Sequence, residues 1–565
     1  MCGFIITNQD INVNEFKDTL KHRGPDQTGI YQHKEIKIIF NRLAIIDLTK
    51  KANQPFFYKN FVIIFNGEIY NYLELRKQLI QLGHRFISNS DTEVLLKSYL
   101  QWKKGCLKKL EGMFSFCIYN KTNRTIFVAR DRYGIKPLFY FLKNRKFIVS
   151  SEKKAIFDMG VKKIFNMPTI LNFIYRGVYQ NDKKTFFDGI YNLEPGKFAI
   201  LRNGNLSLKR WFNFEYDVNK NIGYNDARNE LDYLIKKSIR LSLRSDKDIA
   251  ISVSGGIDSS MIVNKLIEEK LGSNISHLSH WTCDDENDEK LYANALAKSY
   301  KRKLVLAHFK KKDFYKYLMK SLNHIEEPFG GLSLMAGLKM CEMLKKKGVR
   351  VLLDGNGIDE ILGGYGHHIN TFNKNYLDYE NQQIQGLKVF FPKNIINKKF
   401  HDLIPDFKIK KKFRNYLKDI MFNDLTGSKL RRCLLQGDHI SMSQSIEVRY
   451  PFLNNELVNF CFSLPNNYIV RDNFGKYIMR DLSKKSISWQ AKRPSQTPQT
   501  KWMHSFILDD LIKDIKKNEF FFDTSIFDKK NLIKELMIWK KQKTNNSAFP
   551  WYFLMIYHFI NKNLV

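Results

Sequence analysis

The octet Val253-Ser254-Gly255-Gly256-Ile257-Asp258-Ser259-Ser260 stands where an apolar run, Asp248 to Val253, gives way to a helical pattern. Two adjacent glycines let the backbone approach a ligand that any Cβ would exclude, and Ser254, Ser259 and Ser260 add hydroxyls to the amides of a helix start. That combination makes a cradle for pyrophosphate. The Gly-Lys-Ser/Thr ending of a Walker loop is missing, and with it the lysine that grips a γ-phosphate, so cleavage between α- and β-phosphates fits better than transfer of the terminal one. A second reactive group sits at the other end of the chain. Cys2 follows Met1, and a small second residue permits removal of Met1, which leaves a thiol and a free α-amine on one residue. An α-amine titrates near about 7.7–8.0, so it can take the thiol proton without a separate histidine.

The elements that must hold these groups follow from hydrophobic periodicity. Ile36 to Phe40, Phe61 to Phe65, Gly112 to Tyr119, Thr125 to Val128, Pro137 to Phe141 and Phe147 to Ser150 alternate apolar and polar residues and read as half-buried strands. One helix ends at Gly83 and another begins near Ser90, where Ser90 and Glu93 have the spacing of a capping box. A layered sheet sandwich between helices is expected, with Cys2-Gly3-Phe4-Ile5 opening a strand. The strand pattern stops after Asn203-Gly204, and a helix from Tyr224 to Leu243 introduces an α/β pattern. The boundary therefore falls within 205 to 220, dividing the chain into 1–205 and 206–565. Strands at Asp248 to Val253, His277 to Cys283 and Val349 to Leu353 then alternate with helices, and open parallel sheets bind ligands beyond their strand C-termini. From Ser505 to Val565 the pattern is of lysine-rich amphipathic helices around aromatic residues, without chemistry.

A chain of 565 residues predicts more than one domain. Seven cysteines, an odd number lacking a C-x-x-C pair, exclude a complete disulfide framework and point to a reducing, cytoplasmic setting. The N-terminus lacks the basic region of a signal peptide, and the apolar cluster Trp551 to Ile560 falls short of the ~20 residues of a membrane span. The formal charge of +36 is carried mostly by lysines spread through every segment, so neither nucleic acid nor membrane is expected as a partner. A non-catalytic, polyanion-binding protein is the rival reading. His277, His280 and Cys283 alternate between two strand faces and, like His367-His368, are not expected to hold a metal.

Behind Cys2-Gly3-Phe4-Ile5 come His22-Arg23-Gly24-Pro25-Asp26, Asn41-Arg42-Leu43-Ala44-Ile45-Ile46-Asp47 and Phe65-Asn66-Gly67-Glu68-Ile69-Tyr70-Asn71. In order and spacing these resemble the glutaminase domain of class II glutamine amidotransferases. The Val253 octet resembles the SGGxDS loop of ATP pyrophosphatases. Joined in this order, the two resemble the glutamine-hydrolysing asparagine synthetase family over nearly the whole chain. The resemblance implies a mixed α+β and α/β protein: an N-terminal αββα Ntn-type glutaminase sandwich, then an α/β parallel-sheet ATP-pyrophosphatase domain with added helices.

It further implies that Cys2 attacks the side-chain amide of glutamine, giving a γ-glutamyl thioester and ammonia, with the Asn66 side chain and the Gly67 N–H as oxyanion hole. Arg42 would hold the glutamine carboxylate by its planar fork, and Asp91, with Glu68 beside it, the ammonium. Asp91 equally suits the positive end of the helix it begins. In the second domain Val253 and Trp281 would flank adenine, Asp354 and Gly355 would contact the nucleotide, and Ser254 to Ser260 would hold pyrophosphate. Asp258, with Asp359, would help hold Mg²⁺, which needs few protein ligands beside phosphate oxygens. Lys476, in Gly475-Lys476-Tyr477-Ile478-Met479-Arg480-Asp481, would stabilise charge during adenylation and amide formation. ATP and Mg²⁺ are thus the implied cofactors, and ammonia would travel an internal passage to an acyl-AMP. A homodimer is an open expectation. Arg130 to Leu138 and Ser150 to Lys153 match the family as structural and interdomain positions, and Asp438 to Leu453 matches it as acceptor-pocket wall and core.

Several positions depart from the asparagine-forming pattern. The family's Ser-Gly-Glu-Gly-x-Asp-Glu appears as Asp354-Gly355-Asn356-Gly357-Ile358-Asp359-Glu360, so an amide stands where a glutamate is thought to manage a proton. His439 stands where the family carries arginine. Glu326 to Gly331 and Lys492 to Gln499 look like relatives found with surface-polysaccharide enzymes. Aspartate is the expected acceptor, with a uronic-acid carboxylate as the alternative.

Overall fold

Period-two alternation operates twice over in the first half, because its strands are covered on both faces. Phe4 and Ile6 of β1 (Gly3–Thr7) enter one apolar cluster, and Ile5 between them enters another. The computed structural model describes residues 2–564 other than 216–217, 219–220, 284–288, 375–390, 407, 414, 484–496, 519–525, 543 and 545. After β1 come β2 (Gln27–His33), β3 (Ile36–Arg42), β4 (Phe56–Tyr58), β5 (Phe61–Ile69), β6 (Gly112–Asn120) and β7 (Thr125–Arg130). β8 (Phe139–Lys143), β9 (Lys146–Ser150), β10 (Ile190–Asn192), β11 (Lys197–Arg202) and β12 (Asn205–Arg210) complete two six-stranded sheets. Their orders are β10-β8-β9-β1-β3-β2 and β12-β11-β7-β6-β5-β4.

Phe40, Val62, Ile64, Cys117 and Val128 fill the space between the sheets. The helices Tyr72–Gln81 and Asp91–Trp102 cover the second sheet through Leu75, Leu79, Val94 and Leu95, and the helix Met167–Arg176 covers the first through Ile170 and Ile174. This is the αββα sandwich the sequence implies. Two local expectations need correction. Asn203 and Gly204, at φ 51° and 74°, are the two-residue turn of a hairpin that pairs Arg202 with Asn205, so the strand pattern continues to Arg210. Ser90 does cap its helix, accepting from the Thr92 N–H at 3.1 Å, but Glu93 turns instead to the Ile87 and Ser88 amides and to Lys97, so no reciprocal box forms.

The second half is built on a wholly parallel sheet of β13 (Ile249–Ser252), β14 (Ile275–Cys283), β15 (Lys303–Phe309), β16 (Val351–Leu353) and β17 (Glu447–Arg449). Its order is β15-β14-β13-β16-β17, so successive connections leave β13 on one side and resume at β16 on the other. Such a reversal opens a crevice at the strand ends, where the Val253 octet and the Asp354 loop begin. The halves are packed together. Leu43, Ile45, Ile46, Tyr70 and Tyr133 join the second half's core, and the C-terminal helix Ala548–Leu564 packs on Met167–Arg176. No described helix is long and apolar enough to cross a membrane, and all seven cysteines are free thiols.

Candidate active site

Cys2 lies just before β1 and is held at both ends of its backbone. Its N–H donates to Asn66 Oδ1 at 3.1 Å, and its carbonyl accepts from Arg23 Nε at 3.0 Å. Burial pushes the thiol above its ordinary value, against the pull of the chain's terminal amine, an N–H of Leu43 and the charge of Arg42. An open pocket beside it is lined by Arg42, Gly67, Glu68, Asp91 and Glu447 among others. Gly67 is required there: its φ is +153°, and a Cβ would fall 2.1 Å from the Met113 carbonyl on the paired strand.

Arg42, Glu68 and Asp91, the charged residues the sequence singles out, line one pocket. Arg42 donates through Nη1 to Thr49 O and Asn53 Oδ1, and through Nη2 to Ile46 O and Asp47 O. Its fork is therefore committed to the 46–53 loop, and it presents positive charge to the pocket rather than an open bidentate grip. Asp91 accepts the Ile69 N–H at 3.0 Å as well as the Thr92 N–H of its own helix, and burial raises its pKa to about 6. Glu68 is raised well above the carboxylate range, first by burial, while Arg449 opposes the shift. Its Oε2 meets Arg449 at 3.2 Å, and its Oε1 has no hydrogen-bond partner among the described residues. An unpartnered buried carboxylate oxygen facing a pocket is a ready acceptor for an ammonium group.

At the parallel sheet the octet is tied to itself. The Ser254 N–H donates to Ser259 Oγ at 3.1 Å, and the Gly256 N–H to Ser254 Oγ at 3.2 Å, so two of the three hydroxyls shape the loop first. Gly255 is needed for a reason the sequence does not display: at φ +74° its Cβ would lie 2.1 Å from Cβ of Tyr292. Gly256 has only Ser254 Oγ near its missing Cβ and is the open face of the cradle. The helix Ile257–Glu268 starts immediately after it, and Ser260 is buried in its first turn. Gly355 packs against Asp258 and Ser259, which brings the Asp354 loop onto the octet. Burial lifts the Asp354 carboxyl, and its Oδ1 accepts the Asn356 N–H at 2.9 Å. Val253 and Trp281 sit near the ends of the neighbouring strands β13 and β14.

Lys476 joins three distant segments. Its ammonium is 2.5 Å from Asp258 Oδ1 and 2.5 Å from Asp359 Oδ1. Burial opposes the charge, but the two carboxylates outweigh it and hold the lysine above its usual value. At φ +57° Lys476 occupies a conformation that bulky residues avoid. Asp258 and Asp359 converge on the ammonium of Lys476 beside the 254–260 loop, and their carboxylate oxygens are of the kind magnesium takes together with phosphate oxygens. Against the sequence expectation, His367 and His368 converge with a carboxylate as a metal ion would require, meeting Asp424 Oδ2 at 2.6 and 2.9 Å, while the ammonium of Lys429 lies 3.5 Å from the same oxygen.

The Asp438 to Leu453 stretch is core as expected through Met442, Ile446, Val448, Tyr450, Phe452 and Leu453. Asp438 pairs with Arg23 at 2.7 Å and Lys136 at 3.4 Å, while Glu447 walls the Cys2 pocket. These two residues serve the interface and the first site. His439 is buried, donates its Nδ1–H to the His324 carbonyl at 2.8 Å, and is pushed down to about 3 by burial, so it is a neutral ring. Glu326 and Glu327 are spent on Lys153 and the Lys154 amide of the first half, as the interdomain reading of Ser150 to Lys153 expects. Lys492 to Gln496 lie outside the described residues. Arg23, Glu447 and Arg449 carry no individual role in the sequence reading, because their partners are hundreds of residues away.

Comparison with known proteins gives the following. The glutamine amidotransferase domain family matches residues 1–212, and the asparagine synthase family matches residues 230–561. A Methanocaldococcus jannaschii protein named putative asparagine synthetase [glutamine-hydrolyzing] 2 is 29% identical over 470 residues, covering 76% of this chain and 89% of its own. Asparagine synthetase [glutamine-hydrolyzing] 1 of Bacillus subtilis is 26% identical over 552 residues, covering 85% and 84%. Amidase chry2 of Gibberella zeae is 30% identical over 369 residues, covering 62% and 54%.

Proposed function

Since the chain belongs to the asparagine synthase family, with a glutamine amidotransferase domain ahead of the synthase domain, we propose that it converts aspartate to asparagine. It is a glutamine-dependent, ATP-using ligase of the asparagine synthetase type; aspartate as acceptor and the residue roles below are our reading. The observation that supports aspartate is the match to proteins named asparagine synthetase over 76% and 85% of this chain.

In the donor reaction the freed α-amine of Cys2 takes the thiol proton, and Sγ attacks the amide carbon of glutamine. The oxyanion is met by the Asn66 side chain and the Gly67 N–H. Collapse expels ammonia and leaves a thioester that water hydrolyses to glutamate. Arg42 supplies charge to the glutamine carboxylate, and Asp91 and Glu68 bind the ammonium.

In the acceptor reaction a carboxylate oxygen attacks the α-phosphorus of ATP, and the α–β phosphoanhydride bond breaks to release pyrophosphate. The amides of the 254–260 loop receive the departing phosphates, and Lys476 neutralises charge that develops on them. Magnesium, held by Asp258 and Asp359, would screen the phosphates. Ammonia, delivered internally, then attacks the acyl carbon and AMP leaves with the bonding pair. Asn356 favours a second acceptor class, a uronic acid, because the loop lacks the carboxylate of asparagine-forming relatives.

The test is pyrophosphate release with glutamine, ATP and magnesium over a panel of acceptors, aspartate and glucuronic acid side by side. Amide formation from aspartate at tenfold or greater efficiency supports the proposal; preference for the uronic acid replaces it with the second reading. Cys2→Ala should abolish glutamine use and spare ammonia use.

A further inference from the structure

The guanidinium of Arg23 reaches three separate parts of the chain. Nε donates to the Cys2 carbonyl at 3.0 Å, Nη1 to Glu152 at 2.8 Å, and Nη2 to Asp438 at 2.7 Å. Arg23 is 0% exposed and Asp438 2%, so no water can replace a lost carboxylate. The surrounding turn is equally confined: a Cβ on Gly24 would fall 2.2 Å from the Asn41 carbonyl. Ser445 of the second half also donates to the His22 carbonyl at 2.8 Å. A planar guanidinium pinned at three points cannot swing about its stem, whereas one pinned at two can.

This matters because Cys2 has only two backbone anchors. Asn66 holds its nitrogen and Arg23 its carbonyl, and together they fix the plane from which Sγ projects. Asp438, which belongs to the helix Ser428–Met442 of the synthase half, therefore bears on the nucleophile through one side chain. We propose that Asp438 is a positioning residue for glutamine hydrolysis, acting through Arg23 on the carbonyl of Cys2. The synthase half thus completes the donor site as well as receiving its product. The proposal rests on the reading of Cys2 as the glutaminase nucleophile.

The full-length Asp438→Asn variant, assayed for glutamate release from glutamine without ATP, tests it. We expect kcat to fall on the order of 10–100-fold, as small misplacements of a reacting group do. KM should stay within twofold, because Arg42, Glu68 and Asp91 are untouched. Alkylation of Cys2 by 6-diazo-5-oxonorleucine should slow in parallel, Asp438→Glu should recover part of the rate, and ammonium-supported pyrophosphate release should not change. Lys136→Met removes the other partner of Asp438 and should leave glutamate release within twofold. Should Asp438→Asn fail to fold, Arg23→Lys keeps a cation between the carboxylates but loses the fork, and should show the same kcat loss. An unchanged kcat, a loss confined to KM, or an equal loss in Lys136→Met overturns the proposal. Wild-type protein that releases pyrophosphate with ammonium but no glutamate from glutamine overturns the donor reading beneath it.

Discussion

Arg449 Nη2 lies 3.2 Å from Oε2 of Glu68, 381 residues away in the chain, with both side chains withdrawn from water. Arg449 also donates through Nε to Glu447 at 2.6 Å and through Nη1 to the carbonyls of Ser242 and Arg244. One guanidinium therefore fastens the pocket carboxylate of the first half to the parallel sheet of the second. Removing one member of a buried pair strands the other, at a cost of about 3–5 kcal/mol. Arg449→Met should lower the thermal midpoint and let Glu68 take up a proton, since burial already lifts it. The KM for glutamine should rise at least tenfold on the same change. Adding Glu68→Gln should restore only part of the stability, read by thermal melting, since Glu447 stays without its partner, and should not restore the KM.

Asp91 gives the donor reaction a pH signature. Burial is the largest influence on it and raises it to about 6, partly offset by the N–H of Ile69. Its anionic form, the one that binds the ammonium of glutamine in the proposed donor reaction, predominates above about pH 6 and is lost below it. The KM for glutamine should be flat above about pH 7 and rise roughly tenfold per unit below the pKa. Asp91→Asn should show a high KM at every pH with no inflection. An inflection that survives in that variant assigns the titration elsewhere.

The nucleophile, the pocket residues and the octet were legible because each belongs to a local pattern: Cys2 before an apolar strand, Asn66-Gly67-Glu68 within β5, two glycines between strand and helix. What escaped was non-local or unpatterned. β12 is an edge strand with mostly exposed polar side chains, so its alternation is faint and its Asn-Gly turn reads as an ending. β17 is three residues long and is a strand only because β16 pairs with it. Arg23, Glu447 and Arg449 act across the interface, and no spacing within a segment announces a partner on the far side. The role of Gly255 misled in the opposite sense, since Tyr292 as well as a ligand forbids a side chain there.

In the proposed mechanism Lys476 serves the acceptor reaction alone, so its loss should separate the two reactions. Lys476→Ala leaves Asp258 and Asp359 facing one another without the ammonium now 2.5 Å from each. Like charges at that range repel, and the developing phosphate charge loses its counterion. Acceptor-dependent ATP–pyrophosphate exchange should drop by about 10²–10³-fold, the range for losing one electrostatic stabiliser. Glutamate release from glutamine should be unaffected. Lys476→Arg should not rescue exchange, because the site is buried and the larger head meets Gly364.

Gly364 bears no functional group, yet the geometry makes it as necessary as the lysine. A Cβ there would stand 1.9 Å from Asp359 Oδ1 and 2.3 Å from Cε of Lys476, and its N–H is already committed to the Asp359 carbonyl at 2.9 Å. Gly364→Ala must therefore push Asp359 off the ammonium or displace the lysine stem, and overpacking of this kind costs about 1–3 kcal/mol. Pyrophosphate exchange should fall nearly as far as in Lys476→Ala, with glutamine hydrolysis preserved. Gly366, two residues on, has nothing among the described residues within 4 Å of its missing Cβ, and Gly366→Ala should be silent in both assays. If the two alanines behaved alike, the packing of Asp359 against Lys476 would not be what sets the rate of adenylation.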